Sequence, residues 1–215
     1  LVLLSVLAIL AILAVVLIIV LNPAETLKRS RDAQRLSDLS SLKTALGIYV
    51  TSIASPDLDT GVTNHCLGVS NTAALISYSF VHADDQTCDA NVAEGADITS
   101  GTTFDTTDYC RYVASGTGTL VNGTGWVPVN LGGITGGSPI SSLPLDPTNT
   151  ITDIDDPATA DLVYRYACQM TAAGGQPSIV FEFDAQLESD AYTITDDKRA
   201  SDGGDHTTLF EVGTS

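Results

Sequence analysis

An α+β fold is what this 215-residue sequence predicts: a long N-terminal α-helix packed on an antiparallel β-sheet head, with a loop-rich, disulfide-tied insertion. Three observations carry the expectation. Residues 1–21 hold no charge and a single polar side chain, Ser5. Apolar residues then recur every three or four positions to residue 53, one face of a helix. Near the C-terminal end, two stretches alternate apolar and polar residues with the period of a half-buried strand.

Residues 1–23 form the first unit. A run of about 20 apolar residues rising ~1.5 Å each crosses the ~30 Å hydrocarbon core of a bilayer. A secretory signal needs a basic start, a shorter apolar core and a small-residue cleavage site, none of which is present. The segment therefore reads as retained in the mature protein. The missing initiator Met leads us to expect that something was removed ahead of Leu1. Ala8, Ala11 and Ala14 make a small-residue strip that permits close helix–helix approach.

Residues 24–54 continue the helix. Leu36, Leu39, Leu42, Leu46, Tyr49 and Ile53 mark the apolar stripe, and the opposite face holds Arg31, Arg35, Asp38 and Lys43. Asp32 with Arg35, and Arg35 with Asp38, stand at i,i+3 and are expected to pair at the surface for about 0.2–0.5 kcal/mol each. Asn22-Pro23 reads as a kink inside one helix of about 50 residues, roughly 75 Å long.

Residues 55–215 form the head. Strands are expected at Tyr109–Ala114 and at residues 120–121, 126–130, 163–170, 178–187, 192–195 and 209–212. Tyr164, Tyr166, Cys168 and Met170 share one face. Ile179, Phe181, Phe183, Ala185 and Leu187 share one face of the next strand. The Gly-containing linker 171–177 joins the two as a hairpin. The Leu36-to-Tyr49 stripe is the natural cover for that sheet. Residues 51–107 lack periodicity and read as the insertion, with a short helix near residues 71–78.

Charge is unevenly placed. The chain carries a net −17, and from residue 51 onward 23 acidic residues face 4 basic ones. Such a head excludes a nucleic-acid partner, because phosphates need a basic surface. Cys66, Cys88, Cys110 and Cys168, an even set behind an apolar N-terminus, point to an oxidising compartment. Of the three possible pairings, Cys66–Cys88 and Cys110–Cys168 are preferred here. The first closes a short loop, and the second ties two expected strands. No C-x-x-C occurs and His65 is the one histidine beside a cysteine, which argues against zinc.

The layout resembles the type IV pilin superfamily, both pilins and the pseudopilins of type II secretion. The resemblance rests on the apolar start, on Pro23 near its end, and on the amphipathic continuation. It also rests on Arg31-Asp32-Ala33-Gln34-Arg35-Leu36-Ser37-Asp38-Leu39 and on Leu143-Pro144-Leu145-Asp146-Pro147. Ser201-Asp202-Gly203-Gly204-Asp205 with residues 209–213 is similar too. Such a resemblance implies the ladle-shaped pilin fold. It implies a structural subunit of an extracellular helical filament, a fimbrium with roles such as cell adhesion, assembled through the N-terminal helix from copies of the same chain. It also implies an inner-membrane precursor, a prepilin peptidase, a methylated N-terminus and a pilus assembly machinery. The chain departs from the family at Leu1 and Ser5, where Phe and, four residues on, Glu are usual. The alternatives are a pseudopilin of a type II secretion system and a single-span, membrane-anchored extracytoplasmic binding module.

Catalytic signatures are absent from the sequence: it has three histidines and no Gly-x-Ser-x-Gly, P-loop or His-Glu-x-x-His. No enzymatic activity and no required cofactor are expected. Asp196, Asp197, Asp202 and Asp205 crowd a Gly-containing turn of the kind that suits Ca²⁺, and the resemblance to calcium-binding pseudopilins points the same way. Asp153, Asp155 and Asp156 form a second acidic turn. Asn122-Gly123-Thr124 matches an N-glycosylation sequon.

Overall fold

A computed structural model describes residues 2–60, 65–68, 75–82, 86–87, 109–154, 157–173, 176–204 and 206–214. The N-terminal region is helical, but as two helices: α1, Val2–Leu21 (20 residues), and α2, Pro23–Ser52 (30 residues). The expected single helix of about 50 residues is thereby corrected. Pro23 has no N–H to continue the hydrogen-bond ladder, and its ring disfavours α geometry at the residue before it. Asn22 accordingly leaves the right-handed region, at φ 36°, a conformation that Asn tolerates better than most residues. Its Oδ1 then accepts the Glu25 N–H at 3.4 Å and caps α2, while Pro23 occupies a first-turn position where no donor is needed.

The head is a seven-stranded sheet of order β3-β4-β2-β5-β6-β7, with β1 beside β5. The strands are β1 (Leu67–Gly68), β2 (Leu75–His82), β3 (Gln86–Thr87), β4 (Tyr109–Ala114), β5 (Tyr164–Ala173), β6 (Gln176–Ala185) and β7 (Phe210–Gly213). β5 and β6 pair antiparallel along their full lengths, from Tyr164↔Ala185 to Ala173↔Gln176, as the alternation predicts. β7 extends the antiparallel pairing from β6.

The sheet as a whole is mixed, not antiparallel. β2 runs parallel to β4, and β1 parallel to β5. A parallel pair needs a crossover of a dozen or more residues, and the long stretch between β2 and β4 supplies it. The expected helix near residues 71–78 is corrected over its last part, where Leu75–His82 is a strand at the middle of the sheet. Its alternation of Ile76, Tyr78 and Phe80 with Ser77 and Ser79 is the strand signal, since it presents small hydroxyls to one side and large rings to the other.

Three strand expectations fall. Residues 120–121 and 126–130 form a buried irregular loop, fixed by the Asn122↔Asn130 bridge, by Trp126 N–H to Gly118 O (2.9 Å) and by Leu143 N–H to Thr119 O (2.8 Å). Gly125 passes so close to the Leu120 carbonyl that no side chain fits there. Ala191–Thr195 is a π-helical turn where a strand was expected at 192–195.

The main core lies between α2 and the inner sheet face. Leu39, Leu42, Leu46 and Tyr49 meet Tyr164, Tyr166, Phe181, Phe183 and the buried loop's Trp126. Leu36 is only half-buried. A smaller cluster, with Ile76, Tyr78, Tyr112, Ala167 and Leu209, covers part of the outer face. The disulfide is Cys66–Cys168, across 102 residues, which corrects the preferred pairing. β1 lies against β5 and brings Cys66 beside Cys168, a juxtaposition set by sheet register and not by loop length. Cys110 is disulfide-bonded as well, and Cys88 lies outside the described residues.

Candidate assembly surface and ionic clasp

α1 presents its apolar side chains to the outside. Ten large ones, from Val2 (78% exposed) through Val6 (46%) to Val15, are uncovered. Ala8, Ala11 and Ala14 are exposed on the same helix. Ser5, the one polar residue of α1, turns its hydroxyl back to the Val2 carbonyl at 2.8 Å. Side chains of α1 are described over residues 2–15. Among the described residues no helix is long and apolar enough to cross a membrane.

Where α2 meets the head, the charges of the Arg31-to-Leu39 motif turn inward. Arg35 is fully buried. Its Nε and Nη2 donate to the two carboxylate oxygens of Asp146 at 2.6 and 2.9 Å, a bidentate fork. Nη1 donates to Asp32 at 2.8 Å and to Glu188 at 2.6 Å. Arg31 grips the same Glu188 from the rim at 2.9 and 2.7 Å. Asp32 also accepts the backbone N–H groups of Glu188 and Ser189 (3.0 and 2.8 Å) and the Ser189 hydroxyl (2.6 Å). Asp38 accepts the Tyr164 hydroxyl at 2.8 Å.

The expectation of weak surface pairs is corrected: the Asp32–Arg35 pair has both side chains at 0% exposure. Burial works against the Arg35 charge, yet Asp146 and the other carboxylates raise its pKa above the ordinary arginine value. The Arg31 hydrogen bonds outweigh burial at Glu188 and, with Arg35, hold it down to about 2.

The Leu143-to-Pro147 turn gains a role here. Leu143 is core, Pro144 accepts the Trp126 indole N–H at 2.9 Å, and Asp146 is the Arg35 partner. Spacing could have revealed the buried charges. Asp32 and Arg35 fall in phase with Leu39, Leu42, Leu46 and Tyr49, at alternating steps of three and four, whereas Leu36 falls one position off. The exposed side of α2 borders a shallow groove of about 310 Å³ between Ser41, Thr44, Ile48 and the Pro139-Ile140 segment.

Among the described residues, Asp196, Asp197 and Asp202 do not form a metal-ligand cluster. Asp196 pairs with Lys198, and Asp197 with Arg199. Asp202 accepts the Gly204 and Glu211 N–H groups at 3.0 and 2.9 Å, and Asp205 lies outside the described residues, as do Asp155 and Asp156. A different acidic group gathers instead. Glu182 and Asp184 of β6 and Glu211 of β7 are buried on the outer face with carboxylate oxygens within 4.8 Å of one another. Glu211 also accepts the His206 N–H at 2.8 Å. Glu182 and Asp184 alternate with Phe181 and Phe183 along β6. An all-oxygen set of this kind has the chemistry of a hard divalent cation site.

His65 is fully buried, stacked on Tyr166, with Nε2 3.1 Å from the Ser77 hydroxyl. Burial, reinforced by Arg111, lowers its pKa to about 3. Asn122 is exposed on the loop that carries Trp126. No protein-family model matches the chain, and no curated protein or solved structure matches it.

Proposed function

We propose that this protein is a structural subunit of an extracellular helical filament, a major pilin in type, that assembles through α1. One observation carries the reading: α1 exposes ten large apolar side chains ahead of a folded, disulfide-bonded head. Burying such side chains contributes ~1.5 kcal/mol or more each, so covering α1 is worth on the order of 15 kcal/mol. Lipid covers them before assembly, and the helices of neighbouring copies cover them afterwards, with Ala8, Ala11 and Ala14 allowing close approach. Contacts that repeat without closing propagate a filament. The prepilin peptidase, assembly machinery and inner-membrane precursor stay as the resemblance implies them. So does calcium at the C-terminal turn, which melting with and without a chelator tests.

Electron microscopy of sheared cell-surface material tests the proposal. Abundant long fibres composed of this chain are expected. Leu10→Asp, which puts a charge on α1 away from the head, should abolish them and leave the head's Trp126 fluorescence unchanged. Short fibres seen only on overexpression would favour the pseudopilin alternative. A detergent-soluble monomer without fibres would favour the anchored binding module and overturn the filament reading.

A further inference from the structure

Asn122, Gly123 and Thr124 sit in the loop between β4 and β5, and their geometry says more than their order. The Asn122 Oδ1 accepts two hydrogen bonds from Thr124, one from its N–H at 3.1 Å and one from its hydroxyl at 2.7 Å. Gly123 turns the chain between them at φ +92° and backs onto Thr60. Asn122 and Thr124 are exposed while Gly123 is buried, so the turn is anchored on its inner side and open on its outer side. The Asn122↔Asn130 bridge pins the backbone below it. Both hydrogen bonds from Thr124 engage the carboxamide oxygen and neither engages Nδ2.

A carboxamide nitrogen is a poor nucleophile because its lone pair is delocalised onto oxygen. A transferase must therefore activate it, and the hydroxyl two residues on that the sequon requires is supplied here by the exposed Thr124. We infer that Asn122 is a site of N-linked glycosylation. The co-reactant is a polyprenyl-diphosphate-linked oligosaccharide, brought by a membrane-bound transferase. The Asn122 Nδ2 forms a bond to the anomeric carbon. The bond from that carbon to the diphosphate oxygen breaks, the diphosphate leaves with the electron pair, and one amide proton passes to a transferase base. No electrons are exchanged. The sugar projects from the open side of the turn, two residues from Leu120, which is 40% exposed.

The inference rests on the head being exported, as the filament reading holds, but it is tested separately. The full chain is isolated from the cells that naturally make it, cut with an Asp-specific protease and mapped by mass spectrometry. The peptide carrying Asn122 should bear a series of saccharide mass increments. Asn122→Gln and Thr124→Ala should lose them altogether, and Thr124→Ser, which keeps the hydroxyl, should retain them. Trp126 fluorescence reports that each variant's head is folded. A bare Asn122 peptide in the natural protein, or increments that survive Thr124→Ala, overturns the inference. Fibres from the same cells are scored by microscopy. Fibres with a bare Asn122 sink the glycan alone, and a glycosylated chain without fibres sinks the filament alone.

Discussion

Replacing Arg35 with Met removes the one fully buried cation of the clasp at nearly constant volume. Three carboxylates then remain, two of them with side chains at 0% exposure and Glu188 at 12%. Only Arg31, a third exposed, is left to offset them. Breaking a buried ion pair by removing one partner costs about 3–5 kcal/mol, because the orphaned charge stays desolvated. With three carboxylates orphaned in part, we expect about 4 kcal/mol. For a chain of this size that is roughly 8–16 °C in melting temperature. Asp146→Asn alone should cost less, about 2–3 kcal/mol, since Asp32 and Glu188 continue to hold Arg35.

The informative variant carries both changes. In the Arg35→Met background the Asp146 charge is a liability, so Asp146→Asn should recover part of the loss, and the two effects should fall short of their sum by about 3 kcal/mol. Trp126 is the chain's single tryptophan and donates to Pro144, two residues from Asp146. Urea unfolding of the full chain in detergent, followed by its fluorescence and by far-UV circular dichroism, reads the site directly. An Arg35→Met protein within about 1 kcal/mol of the parent, or strict additivity in the pair, would refute the clasp as a buried, energetically coupled unit.

Acid should destabilise the fold in two stages. His65 titrates near 6.5 when unfolded and about 3 when folded, so stability falls as pH drops through that window. Asp59, raised by burial and by Asp57 from 3.8 to about 6, has the opposite sign, so its contribution shrinks as pH rises from 3.8 to 6. The two slopes oppose each other between about pH 4 and 6. Below that, His65 and Glu188, whose folded pKa of about 2 lies under its ordinary 4.5, act together. Melting curves across pH 2–7 should therefore steepen below about pH 4, and Asp59→Asn should extend the acid loss up toward pH 6; a parallel profile for that variant would contradict the assignment. Separately, Cys66→Ala with Cys168→Ala opens a loop of 102 residues and should cost about 4–5 kcal/mol by chain entropy, measured by urea titration; a loss under about 1 kcal/mol would show that the bridge restrains little. At the helix junction, Asn22→Gly should be nearly neutral, whereas Asn22→Val, which both strains φ 36° and removes the cap, should speed amide exchange in the first turn of α2 in proportion to about 2 kcal/mol; equal protection in both variants would deny the junction its left-handed turn.

Periodic segments were legible in the sequence and non-local ones were not. The β5–β6 hairpin followed from alternation, β4 formed at the expected Tyr109–Ala114, and α2's buried stripe followed from its spacing. Neighbours far apart in sequence set the rest. β2 lies beside β4 and β5, and the Cys66–Cys168 bridge follows from a register that no local pattern encodes. Residues 126–130 had strand composition, yet the close approach at Gly125 and the indole bond to Pro144 made them a core loop instead. Buried charge was the hardest to foresee. Arg35, Asp32, Glu182 and Asp184 look like surface residues by type, and only the phase of the helix stripe marked the first two.

That inward turn of charge bears on how copies could cohere. Residues 28–43 hold five basic side chains. Arg31 and Arg35 are consumed by the chain's own Glu188 and Asp146, and Arg29 lies over the Tyr192 ring. Lys28 and Lys43 remain, against heads with a large negative excess that repel one another. In the proposed filament, attraction between subunits would then reside chiefly on α1, where no charge is found and Ser5 closes onto its own helix. The break at Asn22-Pro23 separates the two tasks. Over residues 2–15 α1 exposes apolar surface, and from Glu25 onward polar groups of α2 bind the chain's own head, beginning with the Glu25 carboxylate, which accepts the Ala191 N–H.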